Sequence, residues 1–308
     1  MRIDDELSAV LAEVRVLELS TIARDGGLNV RPMAGAWVPE TQQIIITTPL
    51  SYPQKAFNIR RDGRVALLFS DPTGSGLSGK PNVLVQGTAS APNVIAPPQD
   101  IKDYWAELLR KSPTLADEVA EAEAQGTMDW YYLRLPFFVT PERVHALEAP
   151  EAGGTFEPYP PEEEPLAVQV KDALSRYPTA VFAARDTTGH PYAVRARVSE
   201  SDVDGELVVR TSEDFAGKVG PANLLWHRHD GRSGEMLSLH VAGTAYGSGR
   251  EWRFTPERIP GALASGHGAG SFEEWIDDGR ARTEQYLQRR GLAAPRIDWS
   301  ALTALAPS

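Results

Sequence analysis

Apolar positions in this chain recur in short runs, cut by clusters of Gly, Pro, Asp and Asn, and the runs fall into two similar series. In the first, Leu7, Val10, Leu11 and Val14 share one face at helical spacing, which predicts a short amphipathic helix. Strands follow. Leu17–Arg24 and Val30–Val38 flank Asp25-Gly26-Gly27, a hairpin signal, and the β-branched Gln43–Thr48 follows a turn at Pro39–Gln42. A short helix around Tyr52–Arg61 leads to strands at Val65–Ser70 and Asn82–Ser90. In the second series Leu166, Val170, Ala173 and Leu174 form the helical face. Strands are predicted at Ala180–Arg185, Tyr192–Ser199 and Glu206–Thr211, then a helix near Phe215–Trp226, then strands at Met236–Tyr246 and Glu251–Thr255. Many short strands with few helices predict barrels rather than a parallel sheet.

The two series are copies of one unit. VQGTA at Val85–Ala89 recurs as VAGTA at Val241–Ala245, and VTPERV at Val139–Val144 recurs as FTPERI at Phe254–Ile259. Ala23-Arg24-Asp25 recurs as Ala184-Arg185-Asp186, and Lys55 with Asn58-Ile59 recurs as Lys218 with Asn223-Leu224. Four matches in one order mark a repeat. The first copy carries an insertion, Ile101–Gln125, with helical spacing (Tyr104, Leu108, Leu109, then Leu115, Val119), which the second lacks. The expected organisation is a first barrel domain over 1–148, a Pro/Gly/Glu-rich linker over 149–165, a second, diverged barrel over 166–262, and a C-terminal loop and helix over 263–308. The predicted last helix, Phe272–Arg290, stops at Gly291.

Charge and composition narrow the function classes. The formal net charge of -11 repels phosphate backbones, so no nucleic acid partner is expected. No cysteine is present, which rules out disulfides, thiolate metal sites and cysteine nucleophiles and fits a reducing cytoplasm. The start, MRIDDELSAVLAEV, lacks the basic and apolar stretches of a signal peptide, and no run reaches the roughly 20 apolar residues that span a bilayer, so no membrane is expected. Gly74, Gly79 and Lys80 have nearly the spacing of a nucleotide-binding loop, but Pro81 stands where Ser or Thr would hold magnesium.

The first copy resembles the pyridoxamine 5′-phosphate oxidase-like split β-barrel superfamily of flavin- and deazaflavin (F420)-dependent oxidoreductases. The residues that carry the resemblance are Leu17–Arg24, NVRPM at Asn29–Met33, IIITT at Ile44–Thr48, SYPQK at Ser51–Lys55, NIRRDGRVAL at Asn58–Leu67 and VLVQGTA at Val83–Ala89. The resemblance implies a mainly β (α+β) protein of two tandem split β-barrels with short helices, forming an intramolecular pseudo-dimer. It also implies a cofactor in the groove between barrels, with FMN expected, F420 the alternative and haem less favoured. An FMN-binding oxidoreductase acting on a small organic molecule is the leading expectation. An F420-dependent reductase, or a non-enzymatic flavin- or haem-binding or sensing protein, is the alternative. Partners are then a small-molecule cofactor and substrate, in a monomeric pseudo-dimer or a homodimer, in the cytoplasm.

Particular residues suit that chemistry. A cofactor phosphate needs basic side chains, hydroxyls and helix N-terminal N–H groups together. Thr47, Thr48, Ser51 and Lys55 supply them where a strand runs into a helix, and the resemblance adds Gln54. It also places Arg31, Pro32 and Met33 beside the cofactor ring, where an arginine would stabilise negative charge on a reduced flavin; the other reading is an edge-strand arginine with Met33 in the core. Arg60 and Arg61 either face an anionic cofactor tail or form a solvated face beside Asp62. Gln86 either binds a ring edge or faces solvent. In the second copy Arg195, Arg197, Arg210, Thr211 and Lys218 take the corresponding places, but Gly220-Pro221 interrupts them, so the second groove is the one expected to be remodelled or empty. His227, His229 and His267 are weak candidates for haem or metal ligation, and no metal site is expected.

Overall fold

Turn chemistry sets the strand order. The computed structural model describes residues 2–71, 75, 77, 79–112, 114–148, 150, 164–229, 236–260 and 272–307. Asp4 caps helix α1 (Asp5–Glu13) by accepting from the Leu7 N–H at 2.9 Å. Strands β1 (Val16–Ile22) and β2 (Leu28–Val38) form a hairpin in which Asp25 accepts from the Gly27 N–H and Gly26 takes a φ of +83°. Then come β3 (Gln43–Pro49), α2 (Gln54–Arg61), β4 (Arg64–Asp71) and β5 (Asn82–Ser90). The insertion folds as α3 (Lys102–Lys111), α4 (Leu115–Gln125) and a single turn α5 (Asp129–Tyr132), and β6 (Arg134–Leu147) closes the first barrel. The second half runs α6 (Leu166–Arg176), β7 (Thr179–Asp186), β8 (Pro191–Glu200), β9 (Leu207–Arg210), β10 (Gly217–His229), β11 (Met236–Ser248) and β12 (Glu251–Arg258). Helices α7 (Phe272–Arg290) and α8 (Trp299–Thr303) end the chain.

Both halves are closed antiparallel barrels with one cyclic order, β1-β2-β3-β6-β5-β4 and β7-β8-β9-β12-β11-β10. The fold is thus two split-type β-barrels in tandem. The repeated motifs have a steric cause. Gly87 and Gly243 sit at register shifts, opposite Pro141 and Pro256 of the two TPER motifs. A Cβ at Gly87 would collide with the Thr140 carbonyl oxygen, and one at Gly243 with that of Thr255.

The ladders also fix which residues correspond. Ser20 pairs with Ala66 and Ala66 with Gln86, while Ala183 pairs with Asn223 and Asn223 with Ala242. Gln86 and Ala242 are the second residues of VQGTA and VAGTA, so Ser20 corresponds to Ala183. The Ala-Arg-Asp match is therefore two residues out of structural register. In the true register Arg195 stands where Pro32 stands, and His227 where Ser70 stands.

One sequence expectation is corrected. The helix expected near Phe215–Trp226 is strand β10, bonded to β7 on one side and β11 on the other. Gly217, Gly220 at φ +123° and Pro221 oppose a helix, and two waiting strand edges satisfy the backbone instead. The second copy consequently has no counterpart of α2. The tail returns to the first barrel: Tyr286, Ile297 and Leu302 belong to its core. Most of the 149–165 linker, the Ser265–Gly270 loop with His267, and much of the Pro72–Gly79 stretch lie outside the described residues.

The barrels meet on an apolar face. On β1, Leu17 and Leu19 enter the first barrel's own core, whereas Ile22, together with Val30, Ala66, Leu68 and Leu84, packs against the second barrel. One ionic knot lies in this seam. Glu18, 0% exposed, accepts from Ser70 Oγ at 2.7 Å and from Arg195 Nη2 at 3.0 Å, with His227 Nε2 at 2.6 Å. Arg195 Nε also donates to Ser70 Oγ at 3.0 Å.

Two consequences are measurable. Gly87→Ala and Gly243→Ala should each lower the thermal midpoint, because a methyl group there costs about 1–3 kcal/mol of overpacking; Gly205→Ala, in open space at φ +77°, reports backbone strain alone. Glu18→Ala leaves the Arg195 charge buried without its partner, and urea unfolding should show a loss of roughly 3–5 kcal/mol that Glu18→Leu/Arg195→Met largely recovers.

Candidate functional site

The end of β3 and the start of α2 make a cradle. Thr47 and Thr48 are buried, and Thr48 Oγ1 donates to the Tyr52 carbonyl at 3.0 Å, closing the turn that begins at Pro49. Ser51 is buried and its hydroxyl has no hydrogen-bond partner. No side chain caps α2, so its first-turn N–H groups are left for another acceptor. Lys55 lies in that first turn. Desolvation, followed by the charges of Arg31 and Arg134, pulls its ammonium down to about 7.

Two arginines adjoin it. Arg31 on β2 donates to the Val30 carbonyl at 3.1 Å and, across the seam, to the Pro260 carbonyl at 2.8 Å; burial pulls it down to about 10. Arg134 opens β6 opposite Pro49. It is 4% exposed, its guanidinium carbon lies 4.1 Å from the Tyr131 ring centre and 5.3 Å from that of Trp105, and its Nε has no partner. Burial raises the neighbouring Tyr104 phenol, an effect opposed by Arg134 and by the Thr47 hydroxyl. Among the described residues no carboxylate pairs with Lys55, Arg31 or Arg134. A ring face returns about 0.5–2 kcal/mol to a cation; burying an ion costs several. The cradle therefore carries an uncompensated positive charge.

Helices wall this side. Trp130 and Trp275 meet edge-to-face at 4.9 Å, Gly279 of α7 lies against Trp130 with no room for a Cβ, and Arg282 sits 5.8 Å from the Tyr52 ring. Arg134 was missed from sequence because it follows the insertion, far along the chain from Lys55. The signal was present in Trp130-Tyr131-Tyr132, an aromatic run placed just ahead of an arginine.

The other candidates lie apart from the cradle or are engaged in holding the fold. Pro32 pairs with Glu18 across the β1–β2 ladder, and Met33 packs on the first core. Gln54 donates to Asn58 Oδ1 at 2.9 Å. Arg60 donates to the carbonyls of Ala91 and Pro92 at 2.8 and 2.7 Å, and Arg61 to that of Ile22 at 2.7 Å. Gln86 crosses the seam to Asp186 Oδ2 at 3.1 Å and the Pro191 carbonyl at 2.7 Å. Arg195 is bound in the Glu18 knot, and Lys218 is exposed on β10. His227 is held by Glu18, and the His229 side chain lies outside the described residues. Among the described residues no metal-ligating cluster forms. A cleft of about 630 Å³ has Lys80 and Arg197 in its walls together with Glu148 and Glu213.

No family model matches this chain, and no curated protein does. Solved structures do. A putative pyridoxamine 5′-phosphate oxidase from Listeria innocua is 17% identical, covering 46% of this chain and 96% of its own, at a TM-score of 0.29. An F420 reductase is 19% identical, covering 46% and 98%, at 0.30. The heme storage protein of Vibrio cholerae is 15% identical, covering 47% and 95%, at 0.33. Each likeness covers about half of this chain.

The depressed Lys55 has a stability signature. Its folded pKa of about 7 lies below the ordinary 10.5, so between those values the unfolded chain binds more protons and stability rises with pH. Lys55→Met should raise the melting temperature at pH 6–7 and flatten that rise. Lys111, pulled down to about 8 by burial while donating to the Val14 and Gly35 carbonyls, acts in the same sense and remains in the variant.

Proposed function

We propose that the groove of the first barrel binds a phosphate-bearing flavin, FMN, and that the protein is an oxidoreductase acting on a small organic molecule. One observation carries this reading: Lys55 and Arg31 converge without a carboxylate beside the unsatisfied Ser51 hydroxyl and the uncapped start of α2. That donor set fits a phosphate monoester. Bound flavin would supply hydride or electron transfer, so no acid or base side chain is required. The chain's own residues do the remaining work. Lys55, with the first-turn N–H groups of α2, would hold the phosphate. Arg31, fixed by two carbonyls, would set a positive charge along the groove. Trp130 and Trp275 exclude water on the insertion side.

Arg31 meets the Pro260 carbonyl of the same chain across the seam, so the reading invokes no second subunit. The F420 alternative leaned on Arg60 and Arg61 as ligands for a longer anionic tail. Their bonds to backbone carbonyls favour FMN instead.

Titration with FMN, followed by flavin fluorescence, tests the reading. Lys55→Ala should weaken binding about 10-fold or more, in line with loss of one charge-assisted contact, whereas Lys218→Ala should leave it unchanged. Affinity of the unaltered protein should fall as pH rises through about 7, where Lys55 sheds its proton. Equal affinities for the two variants, or no uptake of FMN at all, would sink the proposal.

A further inference from the structure

We propose that Arg134, opposite Pro49 where β6 opens, is a dedicated oxyanion receptor assembled by the helical insertion. Three features of the residue lead there. It is almost wholly buried, yet none of its guanidinium nitrogens has a hydrogen-bond partner among the described residues. A guanidinium buried without an oxygen partner leaves a standing demand for an anion. Its plane is held by Tyr131 and Trp105, which orient a guanidinium without using its donors. A structural arginine in this protein looks different: Arg60, Arg61 and Arg195 each have their donors on carbonyl, carboxylate or hydroxyl oxygens.

The insertion is what makes this receptor. Trp105 lies on α3, Tyr131 on α5, and Arg134 is the first residue of the strand that follows. Aligning VTPERV with FTPERI puts Gly249 at the matching point of the second copy, inside a tight turn at φ +61°. The second copy has no arginine at that point, and Trp252 Nε1 donates to the Gly249 carbonyl at 3.1 Å instead.

The ligand is a group with two acceptor oxygens, because a planar fork matches carboxylate and phosphate geometry. It has two possible sources: the phosphate of the cofactor, shared with Lys55, or a carboxylate on the substrate. The first rests on the function proposed above; the second does not.

Arg134→Gln in the full chain decides the matter, using four soluble probes. If the cofactor is the source, the unaltered protein prefers FMN to riboflavin and the variant loses that preference by roughly 10-fold or more, with riboflavin affinity unchanged. If the substrate is the source, FMN affinity is unchanged and a preference for benzoate over benzamide disappears. Either result supports the proposal. A variant that keeps both preferences overturns it, as does an unaltered protein that prefers neither anion. If the protein takes up no FMN while Arg134→Gln abolishes a benzoate preference, the cofactor reading fails and this one stands. Thermal melting of the ligand-free protein gives an independent check. Removing an unpaired buried charge should raise the melting temperature, whereas loss of a structural arginine would lower it and overturn the proposal. Should Arg134→Gln not fold, that result itself counts against a receptor role, and Arg134→Lys, which keeps charge without the fork, must still lose the anion preference for the proposal to survive.

Discussion

Everything in this molecule rests on one double-sided sheet face. Strands β1, β2, β4 and β5 bury one set of side chains in their own barrel and the alternate set against the other barrel. Period-two alternation normally separates core from water. Here it separates two cores. Ile22, Val30, Leu68 and Leu84 would be an exposed apolar patch on an isolated barrel, and Phe182, Leu224 and Val241 share their cluster from the other side. Joining the copies in one chain satisfies that surface without a partner subunit.

The seam is not symmetric, and its asymmetry is chemical. Pro32 in the first copy answers to Arg195 in the second, and Ser70 to His227. Glu18 takes Ser70, Arg195 and His227 together, so a single carboxylate ties both copies at their contact. Divergence elsewhere follows the same line. One copy has α2 and the aromatic insertion; in the other, β10 occupies the stretch where a helix would start. The cradle of the first copy therefore collects cations without acids, whereas the cleft with Lys80 and Arg197 also has Glu148 and Glu213 in its walls.

The cradle combines costs that a native fold does not normally keep. Lys55 is pulled toward neutrality by burial and then by its charged neighbours, Ser51 hides a hydroxyl with no acceptor, and Arg134 lies between two rings with its Nε unpartnered. Each is a local departure from satisfied burial, and departures of that kind concentrate where a ligand binds. Elsewhere the same residue types are used up. Arg60 and Arg61 fasten loops, Gln86 fastens the barrels, and Lys111 closes the end of α1 on three backbone carbonyls.

Local sequence by itself determined the repeat, the barrel class and most element positions, because turns, strand alternation and helix caps act over a few residues. Asp25-Gly26-Gly27 could only be a hairpin, and Gly291 ended its helix where expected. Gly87 and Gly243 recur because their partners' carbonyls leave no space for a side chain. Tertiary structure alone decided what became of Phe215–Trp226, since two open strand edges outweighed the helical spacing. It alone brought Arg134 to Lys55, by folding an insertion back over the groove, and sent Arg195 into the seam rather than the second groove. Charge pairing acts through space, so a cation's partner, or its lack of one, cannot be read from its neighbours in the chain.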